Sequence, residues 1–227
     1  MTLSLAGRTS TPLAQAGELR VGGFGGAEGL AGFLREAGVD LVIDATHPFA
    51  ARISANAVAA ARMAGVPLIV LDRPAWARRQ GDRWIEVARM TEAAVALGEA
   101  PRRVFLAIGR QEVAAFRAAP QHRYLVRSVE PVAPEDAPVQ AEYILSRGPF
   151  AESDENALLR EHGIDVLVAK NSGGAATYGK IEAARALGLP VVMVARPAHA
   201  GGMRVESPEA VLSLLDHGPA VATLRGE

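Results

Sequence analysis

The sequence predicts an α/β protein of two similar, doubly wound parallel-sheet domains, and three observations predict it. Short continuous apolar runs alternate with alanine-rich stretches of helical length, the pattern of strands buried on both faces and joined by helical crossovers. Residues 60–75, AARMAGVPLIVLDRPA, match residues 183–198, AARALGLPVVMVARPA, without a gap. Upstream of each copy, DLVIDATHP (40–48) answers DVLVAKNSG (165–173), with a two-residue difference in the helix between. Each half therefore reads strand, polar loop, helix, glycine turn and a second strand ending in Arg-Pro. Only two copies of this βαβ unit exist, which makes paired domains rather than a solenoid. The segment LGEAPRR (97–103) is the natural linker, giving domains 1–98 and 99–227.

The elements follow in order. TLSLAGR reads as a short strand turning at Gly7-Arg8-Thr9, and LRV as a second, followed by the glycine loop GGFGG (22–26) and a helix over 28–37. That loop lacks the strand–GxGxxG–helix order of a dinucleotide fingerprint, so it is read as a close-approach loop. LVIDA, a helix over 50–64 and LIVL make the first βαβ unit; VFLAI leads into a helical segment at 110–118; YIL precedes Arg147-Gly148-Pro149-Phe150. VLVAK, a helix over about 177–187 and VVMVA complete the second unit.

Composition narrows the function. A net charge of −1 argues against a dedicated nucleic-acid binder, which carries a basic excess. No apolar run reaches the length of a membrane helix, and no secretory leader is apparent, so a cytoplasmic protein is expected. Without cysteine there is no disulfide, thiolate zinc site or cysteine nucleophile, and no metal site is expected. Of 24 cationic residues, 22 are arginine and only Lys170 and Lys180 are lysine, a bias that a GC-rich coding sequence explains.

In open parallel sheets ligands bind beyond the carboxyl ends of strands, where helix N-termini and loop amides gather. The loops Asp44-Ala45-Thr46-His47-Pro48 and Lys170-Asn171-Ser172-Gly173-Gly174 occupy matching places of that kind, and could face each other across an interdomain cleft. The first reads either as a helix cap, with Thr46 accepting from helix amides and Pro48 in the first turn, or as a ligand-facing loop in which His47 donates a hydrogen bond or proton. In the second, paired glycines allow close backbone approach and Lys170 supplies a mobile point charge. Arg110 and Arg147 end strands where a planar fork suits carboxylate or phosphate, and Arg8 could meet a cofactor 2′-phosphate. Arg73, Arg78, Arg79 and Arg83, flanked by Trp76 and Trp84, read as an exposed basic loop or as a place for a flat acidic ligand.

Taken together, AGR (6–8), GGFGG (22–26), DATHPFA with Asn56, LAIGRQE (106–112), RGPF (147–150), KNSGG followed by KIEAA (170–174, 180–184) and ARP (195–197) resemble the precorrin-6A reductase family of cobalamin biosynthesis. The resemblance implies two Rossmann-like domains with the active site between them. It also implies hydride transfer from NADPH to a polycarboxylated tetrapyrrole, precorrin-6A, giving precorrin-6B. On this reading His47 and Lys170 are expected to carry the catalysis. Gly7, Arg8, Thr9, Asp44, Thr46, His47 and Pro48 fall to the cofactor, and Arg110, Arg147, Asn171, Ser172, Gly173 and Gly174 to the substrate. His47 and Lys170 could exchange roles. The family opens with a strand and a GGTxEA-like glycine loop, whereas this sequence opens at what reads as the second strand, so the first βα unit is expected to be absent. Two alternatives stay open: a cobalt-precorrin-6A reductase, and a non-catalytic tetrapyrrole-binding protein. Transfer of product to neighbouring corrin-pathway enzymes is also compatible with the resemblance.

Overall fold

A computed structural model describes residues 1–7, 17–198 and 201–216. The chain divides into two compact units, Met1–Pro74 with Pro197–Glu227, and Ala75–Arg196. In the first unit β1 (Thr2–Leu5) and β2 (Glu18–Val21) pair in parallel, Leu3 opposite Leu19. Helix α1 (Ala27–Glu36), β3 (Val42–Asp44), α2 (Ala51–Ala64) and β4 (Leu68–Leu71) follow. The second unit runs through β5 (Arg83–Val87), α3 (Met90–Ala96), β6 (Arg103–Ala107), a tight 3₁₀ stretch (Arg110–Ala118) and β7 (Arg123–Ser128). It continues with β8 (Ala141–Leu145), α4 (Glu152–Glu161), β9 (Val166–Lys170), α5 (Gly179–Ala186) and β10 (Pro190–Val194). The chain then returns to the first unit for β11 (Met203–Val205) and α6 (Pro208–Asp216).

Every strand pairing among these residues is parallel, as continuous apolar strands require. The second unit holds one six-stranded sheet in the order β5-β10-β9-β6-β7-β8. At its centre, β9 buries Val166, Leu167, Val168 and Ala169 completely, and Phe105, Ile181 and Met193 pack with Leu167 and Ala169 into one core. In the first unit β1-β2 and β11-β4-β3 form two separate sheets. Here the core is smaller, with Ala57, Val58 and Ala61 of α2 packed on Leu68 and Val70, and Ala31 and Leu34 of α1 against Ala60. The matched glycines of the repeat, Gly65 and Gly188, both take left-handed conformations (φ 67° and 65°) just beyond a helix end, where a side chain would be strained.

The division of the chain differs from the expected boundary at 98/99, and the reason lies in the repeat. The chain passes between units at Pro74-Ala75 and at Arg196-Pro197, within the matching Arg-Pro-Ala of the two copies. After each crossing, the next strand pairs with the closing strand of the other copy: β5 on β10, with Trp84 opposite Val191, and β11 on β4, with Arg204 opposite Val70. LGEAPRR is then an internal connection, between α3 and β6 of a single sheet-bearing unit. A fragment of residues 75–196 is expected to unfold as one cooperative transition in urea, whereas 1–98 and 99–227, each lacking strands of its sheet, are expected to show none.

His122, preceding β7, is fully buried, its ring edge-on to Tyr124 at 6.1 Å. Burial pushes its pKa below the ordinary value near 6.5; the Gly98 carbonyl pulls the other way, and Arg102 adds a smaller push down. The folded protein therefore prefers the neutral ring, while the unfolded chain takes up the proton first. Stability from this group is complete above about pH 6.5 and is lost as the pH falls through and below it. Urea midpoints measured between pH 8 and 5 are expected to fall at the acid end, with a shallower fall in His122→Phe.

Candidate functional site

The carboxyl end of β9 carries the richest chemistry in the second unit. The strand ends at Lys170, and the ladder runs one step further, the Asn171 amide donating to the Val194 carbonyl at 2.9 Å. Lys170 is mostly buried and forms an ion pair with Glu112, which lies at the start of the 3₁₀ stretch after neighbouring β6. The loops LAIGRQE and KNSGG are thus joined by one charge pair at adjacent strand ends. Glu112 is the functional candidate missed among the individual residues singled out from the sequence; its place in LAIGRQE, five residues beyond β6, was the available signal.

Arg110 heads the same 3₁₀ stretch, half-buried, and borders an open concavity of about 430 Å³ lined with Pro131, Val132, Pro134 and Asp136 beyond the end of β7. Arg147 lies exposed beyond β8. Its loop is tied to the loop after β9, since the Phe150 amide donates to the Ala176 carbonyl at 3.2 Å. Gly179, which opens α5, fits against that same stretch so closely that an added Cβ would lie 2.6 Å from the Phe150 carbonyl oxygen.

Ser172 and Gly173 are buried, and Gly173 and Gly174 take consecutive left-handed conformations (φ 66° and 75°). Asn171 has a different task from the one its residue type implied. Its side-chain oxygen accepts from the Trp76 amide at 2.8 Å, and its side-chain nitrogen donates to the Trp76 carbonyl at 2.9 Å. The amide is thereby committed to the backbone at the start of the unit. Trp76 in turn donates from Nε1 to the Gly174 carbonyl at 2.8 Å.

The arginine cluster after β4 is neither loose nor arranged as a ligand platform. Arg78 donates to the Trp84 carbonyl and Arg83 to the Gly188 carbonyl. Arg185 of α5 grips Asp82 through two nitrogens and donates to the Tyr178 hydroxyl, while Arg79 lies over the Tyr178 ring. These contacts fasten the 76–85 segment to α5.

In the first unit, Asp44 ends β3 and is 5% exposed. One carboxylate oxygen accepts the Thr46 amide at 3.0 Å; the other is buried without a hydrogen-bond partner among the described residues. Thr46 pairs its hydroxyl with Ser54 of α2 at 3.1 Å. The helix is capped by Ala50 without a side-chain bond, and Pro48 precedes it, so neither Thr46 nor Pro48 serves as the helix cap. His47 is exposed, and its Nδ1 accepts the Phe49 amide at 3.2 Å, which places the ring proton of the neutral form on Nε2. Gly7 lies at the end of β1 with φ 69°; Arg8 and Thr9 lie outside the described residues.

An unpartnered buried carboxylate oxygen is costly, and a hydroxyl or amide donor from a ligand would relieve it; a phosphate would be repelled. The residues after β3 therefore fit the ribose or carboxamide portions of a nucleotide. No group of three or more histidine, aspartate or glutamate side chains is disposed around a common metal position among the described residues. Nor, among them, is any helix long and apolar enough to cross a membrane.

Comparison with known proteins bears on what these loops act upon. The family described as precorrin-6x reductase CbiJ/CobK matches residues 1–216. A precorrin-6A reductase of a Sinorhizobium species is 56% identical over 220 residues, covering 97% of this chain and 84% of its own. A cobalt-precorrin-6A reductase of Priestia megaterium is 31% identical over 180 residues, covering 75% of this chain and 70% of its own. Among solved structures, a CobK precorrin-6A reductase superposes with a TM-score of 0.91 at 48% identity, over 96% of this chain and 87% of that one.

Proposed function

The chain belongs to the precorrin-6x reductase family, and we propose that it reduces precorrin-6A to precorrin-6B with NADPH, in the cytoplasm, as a step of cobalamin biosynthesis. The observation that carries this reading to particular residues is the convergence of Lys170, Glu112 and Arg110 at adjacent strand ends of the second unit. A tetrapyrrole edged with carboxylates needs several cations spaced to meet different carboxylates. Arg110 and Arg147 pair with carboxylates, and the Gly173 and Gly174 backbone lets the ligand come close. Lys170, steadied by Glu112, either polarises the conjugated system or gives it a proton.

The first unit holds the nucleotide, through Gly7, Arg8 and Thr9 after β1 and through Asp44 to Pro48 after β3. Asp44 accepts a hydroxyl or amide, and His47 donates from Nε2. NADPH, when bound, supplies the hydride; the protein's share is placement and exclusion of water. The precorrin reading is favoured over the cobalt-precorrin one by identity, 56% against 31% for the relatives so named. The cobalt in that alternative would arrive inside the substrate. Passing the product directly to the next corrin-pathway enzyme is a further part of the proposal.

The test is direct. Purified protein with precorrin-6A and NADPH is expected to consume the nucleotide in step with loss of the precorrin-6A spectrum. Tight tetrapyrrole binding with no nucleotide oxidation would sink the enzyme reading in favour of a binding protein.

A further inference from the structure

Lys180 is the second of the two lysines in a chain that otherwise uses arginine, and the site described above makes no use of it. It lies in the first turn of α5, is 4% exposed, and donates from Nζ to the Thr177 carbonyl while its ammonium stands 4.8 Å from the Trp76 ring centre. Three things make a cation costly there. The side chain is buried, the N-terminal end of a helix carries positive charge, and the Arg127 charge of β7 repels it. Glu155 of α4 offsets this only in part, because it already forms a buried pair with Arg127. Arginine could not serve in its place: a guanidinium is bulkier and never gives up its proton.

The cost falls where a loop needs holding. Residues 171–178 carry no strand or helix, yet they start beside Lys170 and end at α5. At its two ends the loop is held by Asn171, which is tied to the Val194 carbonyl and the Trp76 backbone, and by Tyr178, which is tied to Arg185; between them Gly174 meets the Trp76 indole, Ala176 meets Phe150 and Thr177 meets Lys180. Trp76 and Lys180 touch each other and grip the loop at separate points.

We propose that Lys180 is a positioning residue: by holding the Thr177 carbonyl and bearing on the Trp76 ring, it fixes the 171–178 loop in the form that meets the carboxylated substrate. This rests on the reading that the loop is the tetrapyrrole side. The clamp is also sensitive to protonation. Desolvation, and secondarily Arg127, bring the Lys180 pKa down to about 7, with Glu155 opposing them. Loss of the proton removes the cation from the indole face.

Lys180→Met should keep the fold and release the loop. Hydrogen exchange read by mass spectrometry is expected to quicken at least tenfold at amides 172–178, with β9 and β10 unchanged. KM for precorrin-6A should rise at least tenfold while kcat changes less than threefold. In the unsubstituted protein, tryptophan emission should titrate with a midpoint about 7, and Lys180→Met and Trp76→Phe should each abolish that step. Unchanged exchange in Lys180→Met overturns the proposal. Should Lys180→Met fail to fold, the same exchange measurement on Lys180→Leu decides. Exchange and emission need no substrate, so a protein that fails to reduce precorrin-6A refutes the functional reading without deciding this one.

Discussion

A Lys170→Met enzyme is expected to lose about 100-fold or more in kcat/KM for precorrin-6A, with little change in melting temperature. The lysine is 16% exposed and its partner Glu112 34% exposed, so the carboxylate left behind can still turn to water. The stability cost is accordingly small, about 1 kcal/mol or less. Catalysis has no such escape. A positioned acid or polarising cation contributes about 10²–10⁴ in rate, and methionine keeps the shape of the stem while removing the charge. Glu112→Gln should lose less, about tenfold, because Lys170 stays but is no longer held. Steady-state kinetics of the two variants beside thermal unfolding checks both statements; a Lys170→Met enzyme with normal turnover removes that residue from the chemistry.

The largest expected effect on stability belongs to Arg127→Met. Arg127 and Glu155 are 7% and 1% exposed, joined through the two terminal guanidinium nitrogens, the second contact at 3.0 Å. The guanidinium also stacks on Phe150 at 3.7 Å and lies 4.9 Å from the centre of Phe105. Removing the arginine leaves the Glu155 carboxylate buried without its partner, Lys180 being a more distant cation, at a cost of about 3–5 kcal/mol. Arg127→Met with Glu155→Leu should recover most of that loss, since a filled apolar core replaces the ion pair, and Lys180 loses a repulsive and an attractive neighbour together. Urea unfolding of the single and double variants measures the difference. The double variant is expected to be stable yet impaired, because Phe150 loses the surface on which the 146–150 loop rests.

The sequence was most readable where structure is local. VLVAK, VFLAI, LIVL and VVMVA stand as strands because each is an unbroken apolar run, and the repeat set their loops at strand ends. Strand β7 was harder to see: RYLVRS has charge at both ends, and Arg127 is buried only because Glu155, far along the chain, meets it. Partner choice explains the other differences. Asn171 has the chemistry of a ligand contact, yet its donor and acceptor match a backbone amide and carbonyl of Trp76, 95 residues away. The arginines after β4 meet Trp84, Gly188 and the acids of their own unit for the same reason. The boundary near residue 98 misled because a linker-like composition is also that of an ordinary connection, whereas the exchange of strands after Arg-Pro leaves no local mark.

That exchange also sets an order of events during synthesis. Residues 75–196 are contiguous, so the six-stranded sheet can close as soon as β10 has left the ribosome. The earlier-made strand β4, whose Leu68, Ile69 and Val70 are buried in the finished protein, must wait for β11 more than 130 residues downstream. The unit whose β4 is made earlier is thus completed later, and until then it presents an unpaired apolar edge to its surroundings. Nascent-chain stalling beyond residue 196 would catch one half finished and the other still dependent on whatever shields β4.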